Sequence, residues 1–133
     1  HGWEQVPKAV LDLESRLNNL CFEQIPLHKT LLLGFSQGGA MALELAKRNK
    51  FEGVFALSSY PHPEWKPSKD MPPVFLFHGN MDQVVPLEAS KKSFEILREN
   101  GINSELYFFE GGHEINKDLI DHCSRIIKQK FLI

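Results

Sequence analysis

Gly34-Phe35-Ser36-Gln37-Gly38-Gly39-Ala40 connects an apolar run to a small-residue helical pattern that continues to Arg48. A serine between two glycines at such a junction is typical of a nucleophile elbow, whose tight turn exposes the hydroxyl. We expect Ser36 to be strained there. We expect Gly34 and Gly38 to be glycine because the turn brings the chain too close for side chains. The first N–H groups of the helix would favour negative charge beside Ser36.

The serine motif is a weak signal by itself, and an idle serine in a glycine-rich turn is the alternative. A nucleophilic serine also needs a base and an orienting acid. Asp82 and His113 each follow a short apolar run, as Ser36 does. All three therefore lie just past strand ends, the edge at which open α/β sheets bind ligands.

The chain order Ser, Asp, His is also the order expected for this architecture. We predict that Ser36 is the nucleophile, that His113 is its general base and that Asp82 orients His113. The N–H of Gln37, the residue after the nucleophile, is predicted to donate to the oxyanion.

Each predicted site residue has a simpler interpretation. Asp82 is of a type that often ends a turn, and His113 follows two glycines as an ordinary loop histidine would. His78 is a competing base, but it precedes the acid, so we interpret it as a strand-end residue, with contact to the site as the less favoured alternative. These side chains are all metal-ligand types, yet no paired spacing of the H-x-x-x-H kind supports a metal site, and none is predicted.

Four segments of the chain resemble the phospholipase/carboxylesterase family of α/β-hydrolases, which includes the acyl-protein thioesterases. They are residues 33–43 around the serine, 53–58 in the following strand, 78–86 around Asp82 and 112–115 around His113. The similarity covers about residues 5–130.

The resemblance implies an α/β-hydrolase-type fold, a mostly parallel sheet flanked by helices. It also implies hydrolysis of carboxylic esters or thioesters by Ser36, Asp82 and His113 through an acyl-enzyme, with no cofactor. The implied substrates are a small acyl ester, a lysophospholipid or an acylated protein.

Members of that family have a further amino-terminal section, with the first strands and a His-Gly loop of the oxyanion hole. The chain therefore resembles the carboxyl-terminal part of such an enzyme and is expected to lack the first strands. The alternative function is a non-catalytic α/β-hydrolase-like fragment or interaction module that needs the amino-terminal section. A peptidase on the same fold is less favoured, because nothing resembles a peptide-gating domain. Unpaired strand edges would favour a homodimer.

Composition is consistent with one domain over residues 1–133, with 42% hydrophobic residues for its core. The net charge of −2 and the absence of a basic run disfavour nucleic acid as a partner. No stretch approaches the ~18 apolar residues of a membrane span. Cys21 and Cys123 lie far apart on predicted helices, so we expect two buried free thiols and a cytoplasmic protein.

Alternating helical and strand patterns predict a parallel sheet. The first helix is expected to begin at Pro7, with Val10, Leu13, Leu17 and Leu20 at helical spacing. The later helices are predicted over residues 37–48, 87–100 and 116–130, and the strands over 30–34, 53–58, 74–78 and 104–109. Gly101 is predicted to end the third helix.

The proline-rich connection over residues 59–73 emerges at the same edge as the predicted catalytic residues. Loops of this length are often functional, so we expect it to form a wall of the acyl-binding cleft. The predicted substrate contacts are Tyr60 and Trp65, in a stretch expected to be exposed, and Met81 and Val84, beside Asp82.

Overall fold

The computed structural model describes residues 26–61 and 65–132, in which strands and helices alternate. After a 3-10 turn, Leu27–Lys29, the elements are β1 (Leu31–Phe35), α1 (Gln37–Arg48), β2 (Gly53–Leu57), β3 (Val74–Gly79), α2 (Leu87–Glu99), β4 (Ser104–Phe109) and α3 (Lys117–Lys130). These elements confirm the predicted ones to within one residue at each end. The helix predicted from Pro7 and the predicted thiol of Cys21 lie outside the described residues.

The four strands form one sheet in the order β1-β2-β3-β4, and every neighbouring pair is parallel. All four carboxyl ends therefore lie at one edge of the sheet. The residues after β1, β3 and β4 include Ser36, Asp82 and His113 respectively. The parallel topology thus places the three loops that contain the predicted site residues at the same edge of the sheet.

Alternate residues of β2 and β3 face opposite sides of the sheet, and both sides are buried. On the side of α1 and α2 the core contains Val54, Ala56, Val74 and Leu76 from the strands and Leu43, Leu45 and Leu97 from the helices. On the side of α3 it contains Phe55, Leu57, Phe75 and Phe77 from the strands and Leu119, Cys123 and Ile126 from the helix. Burying one such aromatic or aliphatic side chain stabilises the fold by about 1.5–3 kcal/mol.

The end of α2 follows the prediction for Gly101. This glycine has a φ of 74°, the left-handed conformation that glycine adopts without steric cost. Its N–H donates to the Arg98 carbonyl at 3.1 Å, and the Ile102 N–H donates to the Leu97 carbonyl at 3.0 Å. This is a Schellman motif, and its characteristic apolar contact is supplied by buried Ile102 and Leu97.

The connection between β2 and β3 differs from the prediction at Trp65. This side chain is 6% exposed and lies in the core with residues of α1, so the expectation that it is exposed is wrong. Farther along, the Ser68 hydroxyl donates to the Lys47 carbonyl near the end of α1, at 3.2 Å. The described second half of the connection therefore packs against the helix.

Candidate active site

Ser36 occupies the turn between β1 and α1 in an uncommon backbone conformation, with φ 57° and ψ −122°. Its N–H donates to the Leu57 carbonyl at 2.8 Å, and its carbonyl accepts the Gly39 N–H at 2.9 Å. A positive φ is costly for serine and persists only where surrounding contacts impose it. The predicted backbone strain at Ser36 is therefore confirmed.

The glycines around Ser36 differ in how much space a side chain would have at each position. A Cβ at Gly34 would overlap the carbonyl of Gly38, and one at Gly39 would overlap the Ser59 side chain. A Cβ at Gly38 would meet no atom within 4 Å. The expectation is thus confirmed for Gly34 and wrong for Gly38, whose backbone, rather than its missing side chain, makes the close approach.

The structure brings Ser36, His113 and Asp82 into one line of hydrogen bonds. The Oγ of Ser36 lies 3.0 Å from Nε2 of His113, and Nδ1 of His113 lies 2.8 Å from Oδ2 of Asp82. Since an ionised carboxylate only accepts, Nδ1 carries the proton and Nε2 accepts from the serine hydroxyl. The side chain of His113 is 16% exposed and that of Asp82 is 0% exposed. The hydrogen-bonded residues therefore extend from the partly accessible Ser36 to the buried carboxylate of Asp82.

Asp82 is held by the backbone of its own loop. Its Oδ1 accepts the N–H groups of Val84 and Val85 at 2.9 and 2.8 Å. Burial alone would raise the pKa of this carboxyl, but the hydrogen bonds from Val85, His113 and Val84 outweigh it and lower the pKa below its ordinary value. Asp82 is therefore an anion at neutral pH.

The acid loop, residues 80–86, is joined directly to the histidine loop, residues 110–116. The N–H of Met81 donates to the Gly111 carbonyl at 2.9 Å, and Oδ1 of Asn80 accepts the Gly111 N–H at 3.3 Å. A Cβ at Gly79 would overlap carbonyl oxygens of the histidine loop. The two loops therefore lie in backbone contact.

Two further side chains restrain the histidine loop. The ring of Phe35 packs against the ring of His113 with centroids 4.8 Å apart. The side chain of Asn116 caps α3 by accepting the Leu119 N–H at 2.9 Å and donates to the Glu110 carbonyl at 2.9 Å. The ring contact limits the orientations available to His113, and the Asn116 hydrogen bonds connect the start of the histidine loop to the start of α3.

His78 is the strand-end residue that the sequence predicted, since it is the last residue but one of β3, and its ring also lies near Asp82. It is 0% exposed beneath the acid loop, and its Nε2 lies 3.5 Å from Oδ2 of Asp82. The position of His78 four residues before Asp82 is the one sequence feature that indicates their proximity. That spacing does not indicate that His78 is buried. Within the ranges that the structure describes, no set of three or more His, Cys, Asp or Glu side chains is arranged to hold a metal ion.

The side chains predicted to contact substrate fall into two groups. Met81 and Val84 lie close to Asp82 in the acid loop and are 63% and 70% exposed. Tyr60 is partly buried just after β2, whereas Trp65 lies in the core. Met81 and Val84 are therefore the most exposed of the four predicted substrate contacts.

An apolar groove of about 360 Å³ lies between β1 and α3. Its lining includes the exposed side chains Leu33, Ile115, Ile120 and Leu132. Cys123 also borders it, as a buried free thiol of the kind expected from the sequence. Burial raises the pKa of Cys123 to about 11, so thiolate is scarce at neutral pH and this residue is a poor nucleophile.

The parallel sheet with helices on both sides, together with a serine at a strained strand-to-helix turn, places the chain among the α/β-hydrolases. The model of the phospholipase/carboxylesterase family matches residues 3–130, and the chain belongs to that family.

Named relatives agree with this assignment. Acyl-protein thioesterase 1 homolog 1 of Dictyostelium discoideum is 34% identical over 116 residues, covering 80% of this chain and 51% of the relative. Acyl-protein thioesterase 1 of Emericella nidulans is 34% identical over 140 residues, covering 90% and 58%. The chain thus spans about half the length of these relatives.

Solved structures share the fold. The crystal structure of esterase PE8 is similar with a TM-score of 0.84 and 30% identity, covering 93% of this chain and 61% of that one. The structure of YahD with malic acid has a TM-score of 0.82 at 21% identity, covering 95% and 64%, and shows the fold alone. Among the residues that the structure describes, no helix is both long and apolar enough to cross a bilayer.

Proposed function

We propose that this chain carries the catalytic residues of a serine hydrolase that cleaves carboxylic esters or acyl thioesters. The observation that supports the proposal most directly is the unbroken line from Ser36 through His113 to Asp82, with heavy-atom distances of 3.0 and 2.8 Å. A nucleophile within hydrogen-bond reach of a base, itself oriented by an acid, is the arrangement that nucleophilic catalysis requires.

In the proposed mechanism, Oγ of Ser36 attacks the acyl carbonyl while Nε2 of His113 takes the serine proton. The tetrahedral intermediate collapses as His113 returns that proton to the leaving alcohol or thiol, which leaves an acyl-serine ester. Water then attacks the ester, with His113 again as base, and the carboxylic acid and free Ser36 are regenerated. Ionised Asp82 stabilises the imidazolium formed in each half-reaction.

Gln37 is proposed to supply an oxyanion donor. It is the first residue of α1, a position at which a helix leaves backbone N–H groups without intrahelical acceptors. The positive end of the helix dipole adds to the attraction for a developing oxyanion. Removing one such donor typically costs about 10²–10³ in rate.

The proposed substrate is an acyl ester or acyl thioester: a small ester, a lysophospholipid or an acylated protein. The names of the acyl-protein thioesterase relatives support an acylated substrate. We assign the acyl contact to Met81 and Val84, because both expose apolar surface beside Asp82. The free thiol of Cys123 supports a reducing, cytoplasmic setting for the reaction.

The experiment that tests the proposal is intact-mass analysis after treatment with a fluorophosphonate, which needs an activated serine but no particular acyl pocket. We expect one adduct on the wild-type chain and none on Ser36→Ala. Ser124→Ala is the matched control, because it removes a hydroxyl on α3 outside the hydrogen-bonded line, and it should label like wild type.

Hydrolysis of a short-chain ester and of the corresponding thioester, again compared with Ser36→Ala, then identifies the reaction. Absence of labelling in a folded wild-type sample would reject the proposal for this chain. It would favour the alternative, a non-catalytic α/β-hydrolase module.

A further inference from the structure

His78 and Ser90 form a polar contact inside the protein, beneath the acid loop. His78 lies in β3 and Ser90 in the first turns of α2, and both residues are 0% exposed. Burying such groups is unfavourable unless their hydrogen bonds are made internally. The geometry of those bonds therefore determines what the pair can do.

The tautomer of His78 follows from its partners. Nε2 lies 2.8 Å from the Val85 carbonyl oxygen, which can only accept, so Nε2 carries a proton. Nδ1 lies 2.6 Å from Oγ of Ser90, and in the neutral ring it accepts the hydroxyl hydrogen. One proton on Nε2 and one on Ser90 satisfy both ring nitrogens.

Val85 connects this buried pair to the carboxylate. Its carbonyl accepts from His78, while its N–H donates to Oδ1 of Asp82 at 2.8 Å. Nε2 of His78 also lies 3.5 Å from Oδ2 of Asp82, the oxygen that accepts from His113. Val85, whose N–H binds one carboxylate oxygen, is thus itself held through its carbonyl by His78, and the same ring nitrogen lies near the other carboxylate oxygen.

We propose that His78 is a positioning residue for Asp82, and that Ser90 stabilises the Nε2–H tautomer, which the Val85 carbonyl requires, by donating to Nδ1. With the proton on Nδ1 instead, the Nε2 lone pair would face both the Val85 carbonyl and the Asp82 carboxylate, and repulsion would displace the acid loop. This inference rests on the proposed function, since positioning Asp82 affects a rate only if Ser36 and His113 react as proposed.

The kinetic test compares Ser90→Ala with Ser93→Ala in the full chain. Ser93 is the matched control: it is 1% exposed on the same helix, but its hydroxyl donates to the Ala89 carbonyl at 3.0 Å. Rates are expressed per fluorophosphonate-reactive site, so that loss of folded protein does not count. We expect Ser90→Ala to lower kcat about 10- to 100-fold with KM unchanged, as a misplaced catalytic group does, and Ser93→Ala to stay within about twofold.

A pair of variants at His78 separates positioning from packing. His78→Gln places an amide nitrogen near the position of Nε2 and should retain more of kcat than His78→Leu, which fills space without a donor. Equal kcat in Ser90→Ala and Ser93→Ala, or equal kcat in the two His78 variants, would overturn the proposal.

Nitrogen-15 NMR of wild-type histidines tests the same inference without relying on variants that fold. We expect His78 to be protonated on Nε2 with Nδ1 as acceptor, and the Nδ1–H tautomer would overturn the proposal. This readout does not depend on hydrolysis. Failure of wild-type Ser36 to label would reject the proposed function alone, whereas the wrong tautomer would reject the positioning role alone.

Discussion

Asp82 combines complete burial of its side chain with a negative charge. Three donors, the N–H groups of Val84 and Val85 and Nδ1 of His113, stabilise that charge in place of water. Because these hydrogen bonds lower the pKa of Asp82 despite burial, the carboxylate contributes to folding stability as well as to the proposed chemistry.

The first prediction concerns the acid side of the stability profile. A pKa below the unfolded value means that ionised Asp82 stabilises the fold above about pH 4, where an unfolded aspartate titrates, and that this contribution is lost as the pH falls through the folded-state value. We therefore expect Asp82→Asn to flatten the acid decline of the urea midpoint relative to wild type, measured by circular dichroism at a series of pH values. Asp70→Asn, at an exposed position, should keep the wild-type slope. An unchanged slope in Asp82→Asn would contradict this account.

At the scale of single residues, the sequence predicted the three side chains that the structure joins by hydrogen bonds, but not the buried contacts around them. Ser36, Asp82 and His113 follow from residue type, order and position after strands. The contact between His78 and Ser90 spans 12 residues and depends on how α2 rotates over β3, which no local pattern specifies. The burial of Trp65 likewise depends on α1 lying beside the connection.

The elbow between β1 and α1 is the element in which sequence and backbone geometry are most tightly coupled. Its strand must end and its helix begin within one residue, Ser36. The resulting close approach of Gly34 to the Gly38 carbonyl leaves no space for a Cβ at Gly34.

A pair of alanine substitutions tests this geometry. We expect Gly34→Ala to lower the free energy of unfolding by about 1–3 kcal/mol, because the methyl group would overlap backbone atoms that cannot rotate away. Gly38→Ala should stay within about 1 kcal/mol of wild type, since its Cβ meets nothing and alanine is the better helix former. Both values come from urea unfolding at equilibrium. Equal stabilities would show that the elbow relaxes around the added methyl group.

The bounds of the elements were well predicted because the strands are short apolar runs between turn residues, and the two central strands are buried on both faces. Every residue of β2 and β3 is buried, which explains why these strands lack polar alternation. The one-residue differences arise at ends, such as Ser58, where a φ of 50° terminates β2. Such a conformation is set by the packing at the strand end rather than by residue type.

At the scale of the whole molecule, the parallel sheet was predictable from alternating helices and strands, but the order of its strands was not. Strand pairing depends on which faces the helices cover, and that emerges only in three dimensions. Within the described residues β1 forms one edge, with exposed Leu33 beside the apolar groove. An unpaired edge next to apolar surface is a template for pairing with another chain.

We expect the chain to associate with itself in a concentration-dependent manner through this edge, as the homodimer suggested by the sequence requires. Leu33→Lys should shift sedimentation-velocity profiles towards the monomer, because a charged side chain on an edge strand opposes pairing. Met81→Lys changes a similarly exposed apolar residue outside the strands and should leave association unchanged. Equal association in wild type and Leu33→Lys would exclude this edge as the contact.

The hydrogen bonds from Ser36 to His113 and from His113 to Asp82 join residues 77 and 31 positions apart in the chain. Contacts between such distant residues require most of the sheet to be in place, and they form more slowly than helices do. During refolding, the reactivity of Ser36 would therefore return after the helical signal. The time at which Ser36 becomes reactive would therefore measure the last stage of folding, in which the three loops come together at one edge of the sheet.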